Sequence, residues 1–286
     1  MKHLGKLEPD SDVINEEPRV LLIGYGWVNQ YVGKYFTNAD IVTSEGWIKK
    51  DFELYDMAVI AVPTPMNKET GQCDTSIVEQ VVKKYMDVVN YFLIKSTVEI
   101  GTTDKIAKKY NVSVAMSPEY IGETLGHPLL EARRDAFQII GGDEKTTKKI
   151  AEYWMRVLHA SAPIYICSAV EAEIIKYCEN LWIMQRVDYW NDVYTIAQTY
   201  SADFTKVREG LVLEPRLVRT HSNVYTNNRG WGGKCLPKDM NALAYSMRIN
   251  RTPLSTVEHQ IEKNKEVRKD YKQSVPLIPD NPLWLG

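Results

Sequence analysis

The 286-residue sequence predicts an α/β fold, a doubly wound parallel sheet followed by a mainly helical half. Three observations point that way. Short apolar runs rich in Val, Ile and Leu recur through the first 167 residues, with helix-spaced segments between them. The first run ends in a glycine-containing turn that opens a helix. After Cys167 the strand-like runs stop and long segments of helical spacing take over. Strands alternating with helices imply right-handed crossovers and hence a parallel sheet.

Taken in order, "RVLLIGYG" (19–26) reads as a buried strand entering a turn, and 28–36 as a helix. "ADIVTSE" is a second strand and "MAVIAV" (57–62) a third, closed by "PTP". Residues 76–91 read helical, with Ile77, Val81, Val82, Tyr85, Val88 and Val89 on one side. "YFLIKST" is a strand, "GTTDKIAKKY" a helix and "VSVAMSPE" a strand. "AFQIIGG" and "PIYIC" complete the set of strands. Residues 168–200 then form one long helix, 201–211 a short one, and 240–247 and 255–271 two more. The closing "VPLIPDNPLWLG" carries three prolines and is expected to be irregular. The expected organisation is a polar extension (1–18), a sheet domain (19–167) and a helical domain with its tail (168–286).

Composition excludes several classes. With 44% hydrophobic and 25% charged residues the chain reads as globular, and its net charge of −2 gives no bulk attraction to nucleic acid or an anionic membrane. No apolar run reaches the ~18 residues that span a bilayer. The polar, acidic start does not resemble a secretory signal. Cys73, Cys167, Cys178 and Cys235 form no CxxC pair, which argues against a zinc site and suits free thiols in a reducing cytoplasm.

Two stretches carry chemistry. In "GYGWVN", Gly24 makes a tight turn and Gly26 lets a pyrophosphate approach the start of the helix, with Trp27 and Val28 following at its N-terminus. Asn29 stands where a third glycine is usual in this dinucleotide fingerprint. By itself the motif is weak, and a plain strand–turn–helix is about as good a reading. Glu45 falls about 20 residues on, where an acid holds the ribose hydroxyls. It could equally be a loop acid, and the nearby Lys49 and Lys50 leave a 2′-phosphate open. In "GWGGKCLPKD" (230–239), three glycines precede Cys235, and Lys234 and Lys238 flank it. Positive charge favours the thiolate, so Cys235 reads as a nucleophile or as a packed thiol beside a glycine turn. Lys176 and Asn180, four apart on a helix, share a face and could hold an oxyanion. A solvated lysine and a surface asparagine are the alternative.

Five signatures in order, "VPTP" (62–65), "KSTVEIGTT" (95–103), "SPEYIGE" (117–123), "EIIKYCEN" (173–180) and "GWGGKCLPKD", resemble those of the UDP-glucose and GDP-mannose dehydrogenase family, the nucleotide-sugar 6-dehydrogenases. The resemblance implies a Rossmann-like NAD-binding domain and a helical central domain that dimerises. It implies oxidation of a sugar C6 hydroxymethyl to the carboxylate with two NAD⁺. Cys235 would trap the C6 aldehyde as a thiohemiacetal that becomes a thioester. Lys176 and Asn180 would steady the oxyanion, and Glu119 and Asp239 would handle protons and water. Asp239 could also pair with Lys238 or cap the helix that follows. Pro63, Thr64, Thr97 and Glu123 would meet the cofactor. Tyr120, Ile121, Arg216, Asn223, Gly232 and Lys238 would meet the nucleotide sugar, Arg216 reaching the substrate of a neighbouring subunit. Trp182, Met184, Val187, Trp190 and Val193 on the long helix would form core or a homodimer seam. No metal site is expected.

The sequence departs from the family pattern at Asn29, at Gly122, at Lys234 and in a short segment after Glu45. It also reads as a short form without the family's third, nucleotide-gripping domain. Two other readings stay open: a two-electron dehydrogenase of a small hydroxy acid, and a cofactor-binding paralogue without catalysis.

Overall fold

The computed structural model describes residues 17–120, 137–233 and 235–268. The chain runs through β1 (Val20–Ile23), α1 (Trp27–Val32), β2 (Asp40–Thr43), β3 (Gly46–Lys49), β4 (Tyr55–Ile60), α2 (Ser76–Tyr85), β5 (Val89–Ile94), α3 (Thr102–Tyr110) and β6 (Ser113–Met116). It continues through β7 (Gln138–Gly141), α4 (Glu144–Met155) and β8 (Ile164–Cys167). The helices α5 (Ala169–Thr199), α6 (Phe204–Leu211), α7 (Leu236–Ile249) and α8 (Ser255–Val267) follow.

All eight strands join one sheet in the order β3-β2-β1-β4-β5-β6-β7-β8. β1 pairs in parallel with both β2 and β4, so the winding direction reverses there and a crevice opens at the carboxyl ends of these strands. The sheet is mostly parallel, as expected, with two exceptions. β3 returns antiparallel along β2 from a turn at Ser44–Glu45, and β6 meets β7 antiparallel. β3 was not expected, because its Trp47 and Ile48 are exposed at the sheet edge and bury too little to leave a strand signature.

The strands are buried on both faces, which is why they read as continuous apolar runs. Val20, Leu22, Met57 and Val59 point to one side, against Tyr35, Phe36 and Trp154. Leu21, Ile23, Ala58 and Ile60 point to the other, against Val78, Val82 and Ile106. Each such side chain contributes about 1.5–3 kcal/mol of burial. α4, which supplies Trp154, was not foreseen from its Lys- and Thr-rich sequence, yet Asp143 caps it by accepting from Thr146 N. α2 ends at Tyr85, short of 91, because Val89 and Tyr91 belong to β5. α1 ends at Val32 rather than 36. α7 starts four residues earlier than expected, directly after Cys235.

α5 opens with a capping box between Ser168 and Glu171. Its inner face is unusual, since Glu173, Lys176, Asn180, Asp188 and Asn191 lie on it at three-, four- and eight-residue steps and all are buried. Buried polar side chains need partners, and the partners of Lys176 and Asn180 build the site described below. Met184, Trp190 and Val193 are core, Val187 is partly buried, and Trp182 alone of the five expected seam residues is exposed. No helix among the described residues is long and apolar enough to cross a membrane.

Candidate active site

The glycine turn sits in the crevice between β1 and β4. Gly24 has φ +80, and a Cβ there would overlap the carbonyl oxygen of Ala61, so only glycine fits. At Gly26 a Cβ would meet nothing within 4 Å, which leaves the start of α1 open to a ligand. Asn29 replaces the third glycine and has a definite task. Its Nδ2 donates to Ile23 O (3.0 Å), Gly24 O (2.7 Å) and Val59 O (3.2 Å), pinning the turn to both strands. Its Oδ1 is buried without a hydrogen-bond partner among the described residues. Open space at Gly26 beside the N–H groups of a helix N-terminus fits a dinucleotide pyrophosphate. Trp27 is exposed beside the turn and Val28 is half-buried. Glu45 is exposed in the β2–β3 turn, its N–H bound to Thr43 Oγ1. Lys49 pairs with Asp51 and Lys50 with Glu53, both at the surface.

The segment after β4 leads from this turn to the cysteine. Pro63 is exposed, and Thr64 Oγ1 donates to Thr97 O at 2.7 Å. Lys238 Nζ reaches Thr64 Oγ1 at 3.4 Å and pairs with Asp239 Oδ1 at 2.6 Å. Asp239 is 1% exposed in the first turn of α7, and its other oxygen accepts from Asn180 Nδ2 at 2.6 Å. Cys235 caps that helix from the preceding position and is exposed. Its side chain makes no cap hydrogen bond to the helix. Of the two flanking lysines, Lys234 lies outside the described residues.

One helical turn before Asn180, Lys176 Nζ donates to Glu119 O (2.6 Å) and to Glu179 Oε2 (2.7 Å), over the ring of Tyr120. Burial pushes the Tyr120 hydroxyl well above its ordinary range, so it stays protonated. Glu119 Oε2 faces the buried Lys95 Nζ at 3.6 Å. Cys235, Asp239, Lys238, Asn180, Lys176, Glu119, Thr64 and Thr97 are thus linked through α5 and the strand ends.

The remaining expected residues make local contacts of their own. Arg216 is highly exposed and paired with Glu214. Asn223 accepts from Arg208. Gly232 lies against the Arg268 guanidinium. Ile121 and Glu123 lie outside the described residues. Three buried groups were missed. Asn191 and Asn264 hold the glycine run by accepting from Gly230 N (3.2 Å) and Trp231 N (3.0 Å). Glu173 accepts from Thr103 N (2.9 Å) and Thr103 Oγ1 (2.7 Å) and so caps α3 from α5. Its signal was available: it sits three residues before Lys176 in "EIIKYCEN". Among the described residues no group of three or more His, Cys, Asp or Glu side chains could hold a metal.

Comparison with known proteins adds sequence evidence. Residues 28–159 match the NAD binding domain of the UDP-glucose/GDP-mannose dehydrogenase family, and residues 170–266 match its central domain. The chain is 28% identical to a UDP-glucose 6-dehydrogenase of Campylobacter jejuni over 90% of its own length and 65% of the relative's. It is 30% identical to UDP-glucose 6-dehydrogenase TuaD of Bacillus subtilis over 74% of its length and 47% of that protein. The chain therefore spans about half to two-thirds of such relatives. A UDP-glucose dehydrogenase structure from Pyrobaculum islandicum shares the fold at TM-score 0.72 and 21% identity, over 91% of this chain and 70% of that one. A 3-hydroxyisobutyrate dehydrogenase structure from Mycobacterium tuberculosis shares it at TM-score 0.68 and 11% identity, over 90% of this chain and 95% of that one.

Proposed function

Because the chain belongs to the UDP-glucose/GDP-mannose dehydrogenase family and uses NAD, we propose that it oxidises the C6 hydroxymethyl of a nucleotide sugar to the carboxylate through a covalent intermediate on Cys235. Two NAD⁺, bound in turn at the glycine turn, would supply the hydride acceptors, one for each oxidation. The first oxidation leaves an aldehyde. Cys235 Sγ adds to its carbon, giving a thiohemiacetal. The second oxidation leaves a thioester, and water cleaves it to acid and free thiol. Each sugar consumes one water and gives up two hydrides, with the protons passing to solvent.

The residues divide this work by position. Two N–H groups of Lys176 are held by Glu119 O and Glu179, which leaves the third for charge developing on the C6 oxygen. Asn180 is oriented by Asp239 for the same oxygen. Glu119 and Asp239 are the groups for proton transfer and for placing the hydrolytic water. Thr64, Thr97 and Gly26 line the cofactor side. The observation that carries the reading is Cys235 at the N-terminus of α7, with Asp239 one turn on and bound to Asn180.

A panel of UDP- and GDP-sugars, assayed for NADH formation beside small hydroxy acids, tests it. NADH with a nucleotide sugar is the expected result. NADH only with a hydroxy acid overturns it in favour of two-electron chemistry, for which the Cys235 network has no role.

A homodimer through α5 belongs to the same proposal. Trp182, Tyr189 and Ile196 recur every seven residues on its outer face and all are exposed, the spacing of a helix–helix seam. Sedimentation at micromolar concentration should give twice the chain mass, and a monomer contradicts it.

A further inference from the structure

Behind Glu119 lies a lysine that the reaction as proposed does not use. Lys95 follows β5, and its N–H continues the sheet ladder to Ile60 O at 2.8 Å. Its side chain is only 3% exposed. It runs under the strand ends, with its ammonium 5.6 Å from the centre of the Trp154 ring. An ammonium carries three N–H groups, and three acceptors surround this one: Ser117 Oγ at 3.1 Å, Gln138 Oε1 at 3.3 Å and Glu119 Oε2 at 3.6 Å. Ser117 and Glu119 come from the segment directly after β6 and Gln138 from the start of β7, so adjacent strands set their spacing.

A buried ammonium persists only if paired. Glu119 carries the one formal negative charge among those three acceptors. Ser117 Oγ also donates to Gln138 Oε1 at 3.2 Å, which fixes both neutral ligands. Among the described residues, Tyr31 from α1, Tyr120 beside Glu119, and Lys176 with its partner Glu179 from α5 also face this pair. Lys176 engages the Glu119 carbonyl rather than its carboxylate. Lys95 meets the Glu119 carboxylate directly, at 3.6 Å.

We propose that Lys95 is a positioning residue for the reaction: its buried ammonium, bridged by Ser117 and Gln138, holds the Glu119 carboxylate fixed beside Lys176. This rests on the reading of Glu119 as a proton-transfer group. Burial lowers the Lys95 pKa, and Glu119 opposes that shift.

The test has an arm that needs no turnover. With lysine labelled at Cε, NMR titration of the full chain follows Lys95. In Glu119→Gln, Lys95 should lose its proton at a pH lower by about one unit or more, the effect of removing an opposite charge at this distance. An unchanged titration overturns the proposal whether or not a nucleotide sugar is oxidised. The second arm is a double-mutant cycle on turnover. Lys95→Met should lower kcat roughly 10-fold or more, within the range of lost acid–base assistance. KM for the sugar nucleotide should stay within about twofold, because no substrate contact is removed. Lys95→Met/Glu119→Gln buries no unpaired charge and should cost no more than Glu119→Gln alone. Fully additive losses, or a rise in KM as large as the fall in kcat, mean that Lys95 only packs the core. If the NMR arm succeeds while no nucleotide sugar is oxidised, the pair stands and the functional reading fails.

Discussion

Asn180 donates to Asp239 at 2.6 Å and so ties the middle of α5 to the first turn of α7, next to Cys235. Both side chains are nearly dry, at 4% and 1% exposed. The bond holds the amide in one orientation before any substrate arrives, and such preorganisation matters most in the transition state. Asn180→Ala should lower kcat by about 10²-fold or more, the range for losing one oxyanion donor. NAD affinity should stay within about twofold, because the residue lies away from the glycine turn. Steady-state kinetics and calorimetry check both.

The two fingerprint glycines should separate folding from binding. Gly24→Ala forces a side chain into left-handed backbone and against Ala61 O. It should destabilise the chain by about 1–3 kcal/mol or more. Gly26→Ala meets open space. It should leave Tm within a degree or two, yet its methyl would fill the cofactor cradle and weaken NAD binding roughly 10-fold or more. Thermal melts with and without NAD distinguish the two.

Glu173 should prove structural. Gly101, the residue before α3, caps it with no side chain, and the Glu173 carboxylate supplies the missing acceptor from α5. Glu173→Ala should cost about 1–3 kcal/mol, the penalty for buried donors left unpaired. Lys176 lies three residues on, so turnover should fall with stability. Chemical denaturation measures the first and kinetics the second.

Asp188 gives a pH dependence of known sign. Burial raises its carboxyl from the ordinary 3.8 to about 6, against the opposing charge of Lys263. Its Oδ2 has no hydrogen-bond partner among the described residues. The folded chain therefore holds this proton more tightly than the unfolded one. That contribution is full below pH 4, declines as pH rises from about 4 to 6, and is gone above. Asp188→Asn removes the cost of burying the anion and should stabilise the protein at pH 8 by on the order of 1–3 kcal/mol. The gain should vanish near pH 4. Denaturation of both proteins at the two pH values checks it.

Much of this was legible in the sequence. β1, β4 and β5 were readable because doubly buried strands leave uninterrupted apolar runs. Lys176 and Asn180 share a face because helical spacing requires it. Other features depended on tertiary partners. β3 exists because β2 offers it an edge, and its own side chains stay exposed. α7 begins at Leu236 rather than at Met240, since the prolyl first turn hides its helical spacing. Lys95 and Glu173 stood within quoted signatures, but the acceptors and donors that give them meaning come from residues 22 to 72 positions away.

The central claim is that Cys235 is a covalent nucleophile in a four-electron oxidation. The most direct measurement is the ratio of NADH to carboxylate formed in a single turnover of a nucleotide sugar, in wild type and in Cys235→Ser. Serine keeps size and polarity but is a far weaker nucleophile at neutral pH. The account predicts two NADH per acid for wild type, and no acid from the serine variant beyond a first oxidation. One NADH with release of an aldehyde or ketone from wild type, or acid at an unchanged rate from Cys235→Ser, would contradict it.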